Sequence, residues 1–205
     1  MKKTIGIILQ VSSLSFLLVS CGIFKKSDEA KNETNTRSEL AGTWHSDCVA
    51  ETVIHGLFAR HEINMGADMV FRRTTDHFTD SQCQTKTYTT TIHGEYRLLN
   101  AGQVGTKQVD FTMRAAAMMP ATADMAKTLN DAQECGHTDW QANQDQSVID
   151  TPCTAAKITN GLLLKDVYDL RNGDLFFGRP SFVNDGKAPE TRPTSVELTV
   201  PFHKA

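Results

Sequence analysis

The 205-residue chain lacks the spacings that usually announce chemistry. No Cys-x-x-Cys or His-x-x-x-His occurs, so a tetrahedral metal site has no basis in the sequence, and neither metal nor other cofactor is expected. No serine stands in a Gly-x-Ser-x-Gly elbow, and Gly102 with Gly105 marks a hairpin turn rather than a phosphate cradle. The carboxylates are dispersed, with no pair that can be placed across a cleft, so the seven histidines do not by themselves suggest an enzyme. A basic excess is missing too. The formal charge of −3, with the basic residues scattered, leaves no footprint for nucleic acid.

What is present begins with an address. Lys2 and Lys3 precede an apolar run from Ile5 to Val19 that ends in small residues, the pattern of a secretory signal rather than a spanning helix. Leu18-Val19-Ser20-Cys21 resembles a bacterial lipobox, which implies that Cys21 becomes an acylated N-terminus, a palmitate-type anchor in the membrane. The alternative is an ordinary signal peptide with a chance cysteine at its end. Gly22 and Ile23 follow with no Asp directly after the cysteine, which in the Gram-negative sorting scheme implies the outer membrane, on either face. From Lys25 to Glu39 the chain is so polar that it cannot offset its ordering entropy, and it reads as a flexible linker. The expected organisation is a signal peptide at 1–20, anchor and linker at 21–39, and one folded domain at 40–205.

With Cys21 assigned to lipid, Cys48, Cys83, Cys135 and Cys153 remain, an even number in an exported chain, where disulfides are the default. Four cysteines allow three pairings. Cys48 with Cys83 and Cys135 with Cys153 is favoured, since each pair is near in sequence and neither crosses the other.

Periodicity points to a mainly β domain. Strands are expected over Leu40–Val49, Leu57–Met65, Met69–Thr79, Thr85–Leu98 and Val109–Met113, then Leu162–Leu170, Asp174–Phe177 and Thr194–Val200. In the clearest of them Tyr88, Thr90, Ile92, Gly94, Tyr96 and Leu98 share an inner face, with Thr89, Thr91 and His93 turned to water. His45, His61, His77 and His93 fall mostly on polar faces. Gly94, in mid-strand, suggests a bulge. Gly66-Ala67-Asp68 and Asn172-Gly173 are hairpin turns. One short helix, capped by Thr122, should run to about Asn130. Asp131 to Pro152 is polar and irregular, and a loop of that length needs a staple. Such spacing suggests a small antiparallel barrel.

Several residues then line up with a known pattern: Gly42, Trp44, Ser46 and Cys48; Asp80 and Cys83; Tyr88, Gly94 and Tyr96; Cys135-Gly136 and Trp140; Cys153; Leu175-Phe176-x-Gly178; and Arg192-Pro193-Thr194-Ser195. This order resembles one domain of the adenomatosis polyposis coli down-regulated protein family, animal inhibitors of Wnt signalling. The resemblance implies a lipocalin-like β-barrel and makes an apolar ligand plausible. Val49-Ala50-Glu51-Thr52 departs from the charged, proline-containing stretch of the family, and a lipobox implies a bacterium, so the fold is carried over and the signalling role is not.

The expected function is a lipid-anchored envelope protein whose barrel binds an apolar or lipid-like ligand between Trp44, Phe71, Tyr88, Ile92, Tyr96, Phe111 and Met113. Arg72, Arg73 and Arg192 are the groups expected to meet a head group or carboxylate. The rival is a filled barrel that presents its loops, 131–152 and 178–192, to an unidentified protein partner.

Overall fold

The computed structural model describes residues 39–51, 56–99, 106–153, 157–179 and 185–205. Cys21, the signal, most of the linker and the Gly102–Gly105 turn lie outside the described residues.

Ten strands are described: β1 (Gly42–Ser46), β2 (Val49–Ala50), β3 (Phe58–Met65), β4 (Val70–Phe78), β5 (Lys86–Leu99), β6 (Lys107–Pro120), β7 (Gln146–Ser147), β8 (Leu163–Arg171), β9 (Asp174–Phe177) and β10 (Phe202–Lys204). They pair in the order β1-β10-β9-β8-β6-β5-β4-β3, and β1 pairs β3 as well, with Trp44 opposite Ile63. That last pairing closes an antiparallel barrel of eight strands. Closure removes the open sheet edges. The helix α1 (Ala123–Asp131) starts where expected, with Thr122 Oγ1 accepting from the Met125 N–H.

Both disulfides join the favoured partners, Cys48 with Cys83 and Cys135 with Cys153. Asn172 and Gly173 both have positive φ, as a two-residue hairpin between β8 and β9 requires. At Gly94 the β5–β6 register shifts: His93 faces Ala115 and Gly94 faces Met113, so Arg114 is the extra residue of a bulge. A Cβ at Gly94 would collide with the Thr112 carbonyl and the Phe71 ring.

Three expectations are corrected. Thr194–Val200 is not a strand; only Val196 forms a bridge, to Gly178, and it packs with Val167 and Phe176. The barrel is closed instead by Phe202–Lys204, whose Phe202 is buried between Ser46 and Leu175. The expected first strand divides into β1 and β2. Thr89 and Thr91, expected in water, are buried, and the Thr89 hydroxyl donates to Asp76 at 2.6 Å.

Besides the small Val167, Phe176 and Val196 cluster, the described core has two larger parts. Leu40, Trp44, Ile63, Met65, Phe71, Tyr96, Leu98, Val109, Met113, Tyr168, Leu175 and Phe202 fill the interior of the barrel. A second cluster, Ala116, Ala126, Leu129, Cys135, Trp140 and Val148, continues the inner face of β6 past the bulge and packs α1 and the 134–153 segment against it.

Candidate functional site

Cross-strand register stacks the inner residues of β3, β4, β5 and β6 in rows. Met65, Phe71, Gly94 and Met113 form one row, followed by Ile63, Arg73, Ile92 and Ala116, then His61, Thr75, Thr90 and Met118, and finally Ala59, His77, Tyr88 and Pro120. Apolar rows give way to polar ones along the barrel. The lumen therefore runs from an apolar row at Met65 and Met113 to rows lined by histidine and threonine, with Arg73 in the row between them, where Ile63 also faces Trp44.

Trp44 is 2 % exposed, and its indole N–H donates to the Leu40 carbonyl at 2.9 Å. Phe71, Tyr96 and Met113 are buried beside it, the Tyr96 hydroxyl donating to the Gly66 carbonyl. These four of the seven expected ligand residues are parts of the packed core. Tyr88 is buried in the last row, its ring stacked on His77 at 4.3 Å between centroids. Burial pushes the Tyr88 phenol up to about 12. Only Ile92 and Phe111 keep part of their surface open.

Edge-on rings link Phe71 to Phe111 at 5.0 Å, Phe111 to Phe177 at 5.8 Å and Phe177 to Phe202 at 5.5 Å. His61 then lies 6.1 Å from Phe202. Phe111, Phe177, Leu164 and Ile92 are only partly buried.

Two of the four strand histidines, placed on polar outer faces by parity, turn inward instead. His61 and His77 are 9 % and 6 % exposed. Burial, then the nearby Arg73 charge, holds His61 down to about 3. His77 is held down to about 4, by burial first. Alternation identifies two faces in β3 and β4 but not which of them is inner, because this lumen carries polar residues as well as apolar ones.

The arginine pair separates, with Arg72 outside and Arg73 within. Arg73 stands opposite Ile63, which is 3 % exposed in the core, and its Nη2 lies 3.4 Å from His61 Nδ1. Protein surrounds the guanidinium closely enough to lower its pKa, chiefly by desolvation, while Glu51 and Asp166 act to raise it. Arg73 is nonetheless exposed to solvent. A side chain enclosed by the barrel yet wetted is one that borders a water-accessible lumen.

The carboxyls near Arg73 are engaged elsewhere. Asp166 Oδ1 accepts from the N–H groups of Val167 and Gly178, and burial pushes this carboxyl up to about 6. Glu51 lies 3.5 Å from His77 Nδ1 and is likewise raised, mainly by burial. Arg192 is unavailable for a ligand. It donates to the Val109 and Asp166 carbonyls and pairs with Asp110 at 2.5 Å.

The 131–152 segment, expected to be a displayed loop, is held down. Trp140 is 3 % exposed, its N–H donates to Asn130 Oδ1 at 2.7 Å, and the Asn130 amide donates back to the Trp140 carbonyl. Glu134, Cys135 and Cys153 have donor atoms close together, but the two sulfurs are bonded to each other and supply no thiolate.

A family model described as Adenomatosis polyposis coli down-regulated 1 matches residues 21–165. No curated protein matches the chain.

Proposed function

The chain belongs to the adenomatosis polyposis coli down-regulated 1 family, and from that premise we propose that it is a lipid-anchored envelope protein whose barrel binds an apolar or lipid-like ligand. The observation that carries the reading is the partly open apolar surface of Ile92, Phe111, Leu164 and Phe177 beside a solvent-exposed residue, Arg73, on the inner face. A small barrel either fills its interior or holds one ligand. Here Trp44, Phe71, Tyr96 and Met113 fill part of the lumen while Ile92, Phe111, Leu164 and Phe177 keep accessible surface, so the ligand is a short or folded chain that occupies only part of it. The reading is one of binding, and the inner histidines are engaged with threonine and arginine side chains, His61 Nδ1 lying 3.0 Å from Thr75 Oγ1 and 3.4 Å from Arg73 Nη2.

The anchor is Cys21, and the outer membrane is the site proposed from the residues after it. A Cys21→Ala variant should leave the membrane fraction, and its retention there would refute a purely lipid tether. Native mass spectrometry of the chain from residue 22 onward, which keeps every described element, tests the ligand. A co-purifying mass that leaves on denaturation and is identified as lipid after solvent extraction supports the reading. A bare protein that also takes up no fluorescent fatty acid would overturn it in favour of a filled barrel serving a protein partner.

A further inference from the structure

We propose that Arg73 is an anion-binding residue inside the barrel, taking the carboxylate of a single-chain acidic amphiphile whose tail lies against Ile92, Phe111, Leu164 and Phe177. The inference rests on the ligand-binding reading above and names the polar end of the ligand.

An arginine turned inward is normally paired, because an uncompensated charge in a protein interior is costly. Among the described residues no carboxylate forms an ion pair with Arg73. Its one polar contact among the described residues is the 3.4 Å approach of Nη2 to His61 Nδ1, and that nitrogen is shared with Thr75 Oγ1 at 3.0 Å. A guanidinium has five N–H donors in a planar fork that fits a carboxylate with two parallel bonds. Most of that capacity has no partner among the described residues, and the side chain is exposed to solvent on the inner face beside Ile92.

The nearby groups set the charge of the partner. Glu51 and Asp166 both interact electrostatically with Arg73, yet Glu51 faces His77 and Asp166 accepts two backbone N–H bonds. Neither fills the fork, and both would repel a dianion. A monoanionic carboxylate suits one guanidinium between two carboxyls better than a phosphate does. Thr75 and Thr90 stand in the adjacent row, and their hydroxyls supply polar company for a head group.

The test uses the disulfide-bonded chain from residue 22 onward, titrated with a fluorescent polyene fatty acid and with the corresponding alcohol. Dodecanoic acid, dodecanol and dodecyl phosphate serve as competitors. A charge-assisted bond of the usual strength makes the acid bind about tenfold to a hundredfold tighter than the alcohol. Arg73→Gln should bring that ratio to about one while keeping the alcohol affinity, and Arg73→Lys should retain part of the preference. Equal binding of acid and alcohol by the unsubstituted protein would overturn the proposal and leave the apolar-ligand reading standing. So would an unchanged preference in Arg73→Gln. Tighter binding of dodecyl phosphate than of dodecanoate would refute the monoanion assignment. If neither acid nor alcohol binds, the ligand barrel itself fails. Should Arg73→Gln not fold, the acid-to-alcohol ratio of the unsubstituted chain and the Arg73→Lys variant still decide.

Discussion

His61 and His77 make the interior of this barrel sensitive to acid. Each has its pKa depressed by burial, to about 3 and about 4, so the unfolded chain takes up the proton first. Between the ordinary histidine value near 6.5 and those depressed values the unfolded state binds more protons, and stability falls as pH falls. Asp166, raised to about 6, acts oppositely: below that pH the folded state binds the extra proton and gains stability. Glu51 is raised as well and works in the same direction as Asp166. His61→Asn should therefore flatten the loss of thermal stability between pH 6.5 and 5, measured by melting at a series of pH values. Parallel curves for the two proteins would show that His61 does not carry the effect. Arg192 is a second residue-scale case. It ties the segment after Pro189 to β6 and β8 through Asp110, which is 4 % exposed. Leaving a buried carboxylate without its main partner costs about 3 kcal/mol, so Arg192→Met should lower the denaturant midpoint by a corresponding amount. Arg192→Lys should recover little of that, because it lacks the fork.

The β5–β6 hairpin is the element on which the site depends. Its bulge at Gly94 turns the far end of β6 so that the Ala116 face meets α1 and Trp140, while the near end pairs with β8. The missing side chain at Gly94 also admits the Phe71 ring, the first of the linked aromatic rings. Gly94→Ala should cost about 1 to 3 kcal/mol through overpacking against backbone and ring, and should weaken ligand uptake by displacing Phe71. Calorimetry with a fatty-acid titration checks both, and an Ala variant as stable as the original would mean that the strands adjust freely. Much of this element was legible beforehand: the alternation from Tyr88 to Leu98 is long, and a glycine in its middle has few other uses. Burial of Thr89 and Thr91 was not legible, since threonine suits a wet face and a covered one equally.

For the whole molecule, cross-links and closure act together. The two disulfides span 35 and 18 residues of sequence. Loop-closure entropy for loops of that size predicts about 4 kcal/mol from the longer and about 3 kcal/mol from the shorter. In a domain of about 165 residues, reduction of both should lower the melting temperature on the order of 10 °C or more. An unchanged melt in reductant, with all four thiols labelled, would show that the barrel does not rely on them. The cysteine pairing was accessible from sequence because the nearest partners were also spatial partners.

The sequence by itself determined the β-rich class, the Asn172-Gly173 hairpin and the helix after Thr122, because turn chemistry, capping and alternation act over a few residues, whereas it favoured the disulfide partners without excluding the other two pairings. The tertiary structure decided the rest. Phe202–Lys204 is too short to show a period, and only its pairing with both β1 and β9 makes it the strand that closes the barrel. Arg73 and its neighbour Arg72 are indistinguishable in sequence. Their opposite fates follow from the register of β4 between β3 and β5, which places one guanidinium in bulk water and the other in the lumen.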